Sequence, residues 1–315
     1  MSPPQSTRNA KERLARAIHS LHGLSCGDSF GERFFLHPEV AQPLIAQRAV
    51  PSPPWRYTDD TAMAIAIVET LEELDEIQEK PLAGTFARHY LADPQRGYGP
   101  AMHSLLPELA NAPSRWKELS EALFHGTGSF GNGSAMRVAP LGAYFADDLD
   151  AVFNQAVYSS AVTHAHPEAV AGAVAVAFAA ALAVEHKASS ITPADFLRRI
   201  SRATPSSEVQ LGIERALALS AGTQVNKAVA VLGNGARISA QDTVPFCLWV
   251  AAHHLNDYQD ALWTTVSGLG DRDTTCAIVG GIVAMSASFE SIPKSWLESR
   301  EPIPAWFLYP EPGQN

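Results

Sequence analysis

The chain has 315 residues, 46% of them hydrophobic and 18% charged, enough for one large domain or two ordinary ones around a sizeable core. Its 33 acids outnumber 23 Lys and Arg, a formal net charge of -10, which argues against nonspecific nucleic-acid binding but allows a small phosphate ligand held by a metal ion or backbone amides. Three scattered cysteines, Cys26, Cys247 and Cys276, show no CxxC, so neither a disulfide framework nor a zinc knuckle is expected and a reducing cytoplasm is the natural compartment.

The first twenty residues are polar and charged, without the apolar stretch of a signal peptide. Residues 8–24 read as an amphipathic helix with a basic outer face. Residues 61–74 begin after two aspartates and are good helix formers throughout. Further helices are expected over 135–145, 149–162, 167–184, 193–203, 207–221, 243–255, 258–267 and 274–288, with a short one around Trp296. The run 169–184 is mostly Ala and Val, too short and too weakly apolar for a membrane span, and reads as a buried helix. Glycine and proline clusters at 51–57, 96–100, 126–134 and 233–235 mark turns or binding loops. No linker divides the chain, so one all-α domain over 1–315 is expected, with its core over about 10–290.

Two acidic motifs stand at helix starts, Thr58-Asp59-Asp60-Thr61 and Asp271-Arg272-Asp273-Thr274. Capping accounts for one such residue at each helix, since Asp and Thr suit the N-cap and the helix dipole. Two acids and a threonine at both exceed that need. Oxygen-only donor sets suit hard divalent ions, and four aspartates could hold a pair of them. Spacing alone leaves capping and metal binding both open, and cannot bring the two motifs together in space.

Other loops carry weaker signals. Residues 126–134, GTGSFGNGS, lead into the helix expected at Ala135, where backbone N–H groups can meet a phosphate. The Lys-Ser/Thr ending of a nucleotide-binding P-loop is missing. His164 and His166 precede the Ala-rich helix, and either contacts substrate or simply caps it; zinc lacks further nitrogen or sulfur ligands there. Asp28 follows the first expected helix, where it either meets a ligand or closes the helix with a turn. Tyr98, between Gly97 and Gly99, either stacks on a ligand ring or packs against the body.

Five motifs in one order are more specific than any of them alone. They are Gly27-Asp28-x-x-Gly31, Thr58-Asp59-Asp60-Thr61, Gly131-Asn132-Gly133-Ser134-Ala135-Met136-Arg137, Thr163-His164-x-His166-Pro167 and Gly270-Asp271-x-Asp273-Thr274. The series, from residue 23 to about 285, resembles the ADP-ribosylglycohydrolase family. The resemblance implies an orthogonal multi-helix, all-α bundle with a central two-metal cleft. By position it implies Thr58, Asp59, Asp60, Asp271, Asp273 and Thr274 as ligands of two Mg²⁺ or Mn²⁺ ions. It sets Gly131, Asn132, Gly133 and Ser134 against a diphosphate and His164 in the ADP-ribose site, with Tyr98, Gly99 and Met136 completing the expected substrate set.

The implied reaction is hydrolysis of the glycosidic bond between ADP-ribose and an acceptor by a metal-activated water, with Asp28 or Asp60 handling the proton. The implied partner is an ADP-ribosylated protein or an ADP-ribose-containing small molecule; a cytoplasmic monomer without membrane attachment is expected. The competing readings are a non-catalytic ADP-ribose-binding or crystallin-like relative, and a two-metal nucleotide phosphohydrolase. Two departures stand out. Phe35 occupies the position of a flap glutamate found in many relatives, and Leu269 stands where a second glycine is common.

Overall fold

Gly23, Gly27 and Gly31 recur every fourth residue, which in a helix places them on one face. That face decides the centre of the fold. In the computed structural model, which describes residues 5–304, the first helix runs through all three glycines. In chain order the helices are α1 (Gln5–Glu32), α2 (Pro38–Ala46), α3 (Asp59–Leu74), α4 (Glu79–Ala92), α5 (Met102–Asn111), α6 (Trp116–Gly126), α7 (Ala139–Tyr144) and α8 (Leu149–Ala161). Then follow α9 (Pro167–Ser189), α10 (Pro193–Ala203), α11 (Glu208–Leu217), α12 (Val225–Leu232), α13 (Ala240–His253), α14 (Tyr258–Ser267), α15 (Arg272–Ser286) and α16 (Lys294–Ser299). Among the described residues there is no strand, only an isolated bridge between Trp55 and Arg300, so the fold is all-α as expected.

The expected end of the first helix near residue 24 is corrected. Gly27 is not a stop signal, and Asp28 lies inside α1 rather than in a turn after it. The glycines lie against the backbone of α15, itself at four-residue intervals. A Cβ on Gly23 would fall 2.5 Å from the Gly280 carbonyl oxygen, one on Gly27 2.1 Å from that of Cys276, and one on Gly31 2.1 Å from that of Arg272. Close approach of two helix backbones is thus what these residues supply. Because α15 begins with the second acidic motif and α1 carries Asp28, this seam sets the depth of the site.

The first acidic motif also shifts. Asp59 and Asp60 form the first turn of α3 with Thr58 at its N-cap, instead of standing ahead of it. The helix expected over 135–145 is broken: Asn132–Ser134 make a single 3₁₀ turn and α7 starts only at Ala139. Pro140 explains this, since deeper in a helix its ring would meet the carbonyl four residues back. Helices α2, α4, α5, α6 and α12 had not been expected. Internal Pro43 and Pro107 interrupt the periodicity of α2 and α5, and α12 has only 8 residues.

The Ala-rich helix α9 is longer than its apolar run and, by length and composition alone, could cross a bilayer. It is mostly buried, packed against α7, α8, α13 and α15. Small side chains permit that: a Cβ on Gly142 of α7 would fall 2.0 Å from the Ala177 carbonyl oxygen. One buried apolar cluster extends from Ala17 to Ile303.

Candidate active site

At the start of α3, Thr58 has extended backbone angles and its hydroxyl accepts from the Asp60 N–H, which is ordinary N-capping. Asp28 reaches across from α1 and adds a second cap. Its carboxylate accepts from Thr58 N (3.0 Å), Thr58 Oγ1 (2.9 Å), Thr61 N (3.1 Å) and Thr61 Oγ1 (2.5 Å). With both oxygens occupied and no exposure, Asp28 locks the turn that carries Asp59 and Asp60. Asp60 has one oxygen near Thr58 Oγ1 (2.9 Å), while its Oδ1 is buried without a partner among the described residues.

At the start of α15, capping does not explain the acids. Asp271 stands at the N-cap, yet its side chain makes no capping bond. Instead its Oδ2 accepts from Asn132 Nδ2 at 2.7 Å. The turn before it is tight: Leu269 and Gly270 both have positive φ, 57° and 67°. Glycine suits such angles, so Leu269 holds a strained backbone there. The loop 233–235 braces this turn, with Asp271 N donating to Asn234 O and Asn234 Nδ2 to Gly268 O.

The two motifs meet, as their electrostatics record. Burial, then the neighbouring charges of Asp273, Asp28, Asp59 and Asp271, pushes the Asp60 carboxyl well above the ordinary range. Burial and Asp271 do the same to Asp273. Asp59 is raised to about 7 by burial first and by Asp28 next. A buried patch of mutually repelling carboxylates with one orphan oxygen is costly unless it is protonated or neutralised by a cation. Among the described residues no three His, Cys, Asp or Glu groups are already arranged to hold an ion. The donor types nevertheless fit a hard divalent cation: carboxylates and threonine hydroxyls, with no sulfur or imidazole.

Beside these acids opens a cavity of about 710 Å³. Of the expected residues, Asp59, Asp271, Asp273, Thr274, Tyr98, Gly99, Gly131, Asn132, Gly133, Met136 and His164 line it. Thr58, Asp60 and Asp28 are not among its lining residues. Ser134 does not reach the cavity, a correction: its buried hydroxyl donates to Ala169 O and ties the loop to α9. Asn132 lines the wall, but its amide is spent on Asp271 and Thr243 Oγ1 (3.1 Å). Tyr98 is held near α3 because Asp59 N donates to Arg96 O at 2.8 Å, and Arg96 pairs with Glu301.

Sequence reading missed Met63, Met102, Phe124, Phe130, Arg237 and Ile238 in the lining. Phe130 lies within the glycine-rich loop that had been singled out. Phe124 and Ile238 have positive φ and exposed side chains at the mouth, and no sequence pattern signals that. Phe35, where the resemblance sets a glutamate, is half-exposed under the Arg272 guanidinium, 5.3 Å from its ring, and Arg272 also donates to Phe34 O. The segment after α1 is thus pinned to the head of α15 by the residue between the two aspartates.

His164 is buried, and burial with the nearby Arg137 charge lowers its pKa to about 3. The unfolded imidazole protonates below about 6.5 and the folded one only near 3, so this stability is full above pH 6.5 and lost as pH falls. His164→Asn removes that loss. Urea denaturation should show its unfolding free energy improving relative to wild type by about 2 kcal/mol from pH 7 to pH 5. A constant difference would mean that the folded imidazole titrates normally. His166 instead caps α9, accepting from Glu168 N at 3.1 Å.

The all-α fold thus carries an acidic pocket between two helix starts with a glycine-rich wall, and comparison with known proteins identifies the class. The ADP-ribosylglycohydrolase family model matches residues 9–308. ADP-ribosylhydrolase ARH3 from Homo sapiens is 30% identical, covering 93% of this chain and 91% of its own. ADP-ribosylarginine hydrolase Tri1 from Pseudomonas putida is 24% identical over 93% of this chain and 76% of its own. A solved ADP-ribosylglycohydrolase-related protein complex shares the fold, with a TM-score of 0.62 at 20% identity over 92% of this chain and 94% of that one. The chain belongs to the ADP-ribosylglycohydrolase family and is a glycohydrolase enzyme.

Proposed function

We propose that the protein is a divalent-metal-dependent hydrolase that frees ADP-ribose from a modified side chain or small molecule. The observation that carries this reading is Asp271, which occupies an N-cap without capping and turns its carboxylate to Asn132 at the cavity wall. Thr58, Asp59, Asp60, Asp271, Asp273 and Thr274 would hold two Mg²⁺ or Mn²⁺ ions. When bound, such ions supply Lewis acidity, making a water nucleophilic at neutral pH and gripping ribose hydroxyls.

The chain's own groups do the rest. Asp60 Oδ1, free of donors among the described residues, is an atom able to take a proton or a cation. Asp28 has no such oxygen and acts by holding Thr58 and Thr61 in place. Gly131 and Gly133 bring backbone close to the ligand's diphosphate, and Tyr98, Phe124 and Phe130 offer an apolar wall for a base. The cavity volume lies in the range that encloses a ligand of this size.

The test is a panel of arginine-, serine- and nucleotide-linked ADP-ribose substrates with Mg²⁺, the arginine linkage included because Tri1 bears that substrate in its name. Intact ADP-ribose is the expected product. Binding without turnover would favour a non-catalytic role, and phosphate release from nucleotides would favour the phosphohydrolase.

A further inference from the structure

Arg137 is fully buried and makes no ion pair among the described residues. Its guanidinium donates to Ser159 O (3.0 Å), Thr163 Oγ1 (2.9 Å) and Met63 Sδ (3.5 Å), and lies 4.2 Å from the centre of the Phe86 ring. A buried cation with no acid in hydrogen-bond contact is expensive: burial lowers its pKa to about 9, although the charge of Asp59 acts the other way. Packing alone would be served better by an apolar side chain.

The contact with Thr163 gives the arginine a purpose. Thr163 Oγ1 also lies 2.7 Å from His164 Nδ1. Arginine can only donate, so the hydroxyl oxygen accepts from it. Thr163 has no exposure, and its own proton needs an acceptor. The acceptor within reach is His164 Nδ1. If Nδ1 carried the proton instead, the hydroxyl proton would be buried and unpaired. The nearby Arg137 charge also opposes a cationic imidazole.

We propose that Arg137, acting through Thr163, fixes His164 as the neutral Nε2–H tautomer and so makes it a hydrogen-bond donor to an oxygen of the bound ligand. Nε2 has no protein partner among the described residues and faces Gly131 and Gly133, where a Cβ would fall 3.3 Å and 2.8 Å away. Those glycines leave the Nε2 edge open to the cavity. The ligand oxygen it meets is one carried by the loop 131–133, a diphosphate oxygen on the reading given above, on which this inference rests. Arg137 and Thr163 are therefore positioning residues, neither of them touching the ligand.

The tautomer can be read directly. In a ¹⁵N–¹H correlation spectrum of wild-type imidazoles at pH 7, the signal missing from His164→Asn should show a pyrrole-type Nε2 and a pyridine-type Nδ1. Thr163→Val should mix or invert that pattern and raise the Kd for ADP-ribose on the order of tenfold, the loss of one hydrogen bond. Thr163→Ser should restore both. A pyrrole-type Nδ1 in wild type overturns the proposal even if Thr163→Val fails to fold, and so does a Thr163→Val protein with unchanged tautomer and affinity. Neither result touches the hydrolase assignment. A correct tautomer in a protein that binds no ADP-ribose would overturn the ligand part of the inference together with the proposed function.

Discussion

Asp60→Asn and Asp271→Asn should each lower ADP-ribose release by more than ~100-fold, the upper end of what loss of a mere supporting partner costs at a metal site. The fold should survive, because these side chains repel one another rather than pack. Their folded pKa values are raised by burial and by neighbouring carboxylates, so the stability linked to their protonation is present at low pH and lost as pH rises. At pH 7.5, in chelator, the Asp60→Asn protein should therefore melt at or above the wild-type temperature. Mg²⁺ should raise the wild-type Tm and leave that of Asp60→Asn almost unmoved. Full turnover, or a variant that does not fold, would remove these residues from the proposed ligand set.

Gly27→Val is expected to have the largest effect on stability. Its Cβ would meet the Cys276 carbonyl at 2.1 Å, and backbone on both sides cannot rotate away. Overpacking costs about 1–3 kcal/mol where side chains can yield, and more where they cannot, against a typical total of about 5–15 kcal/mol. The α1–α15 seam would have to open, and Asp28 would retreat from Thr58 and Thr61. Urea unfolding should show a lower midpoint, and residual activity should fall with it. An unchanged midpoint would mean that α1 can shift on α15 at little cost.

How much was legible in the sequence follows from which signals are local. Helices α8, α10 and α14 begin and end close to expectation because caps and periodicity coincide there; Asp148, Thr192 and Asp257 each cap with a side-chain oxygen. The acidic motifs were legible as exceptional helix starts. Their meeting was not, since 211 positions separate Asp60 from Asp271 and only tertiary packing joins them. Gly27 misled for the same reason: glycine marks a helix end by local rules, but a close helix contact can demand it mid-helix. Ser134 was placed in the site by motif, although the 3₁₀ turn rotates its hydroxyl toward α9. The caps of Asp28 on α3 and the Arg137–Thr163 contact involve partners 26 to 33 residues apart, beyond the reach of helical spacing.

The central claim is that the two acidic helix starts together hold divalent ions. Mn²⁺ titration of chelator-stripped protein, followed by electron paramagnetic resonance of the free ion, tests it most directly. Two ions bound per wild-type chain, and fewer in Asp271→Asn, is the result expected. No bound Mn²⁺ in the wild type, or the same binding in the variant, would contradict it.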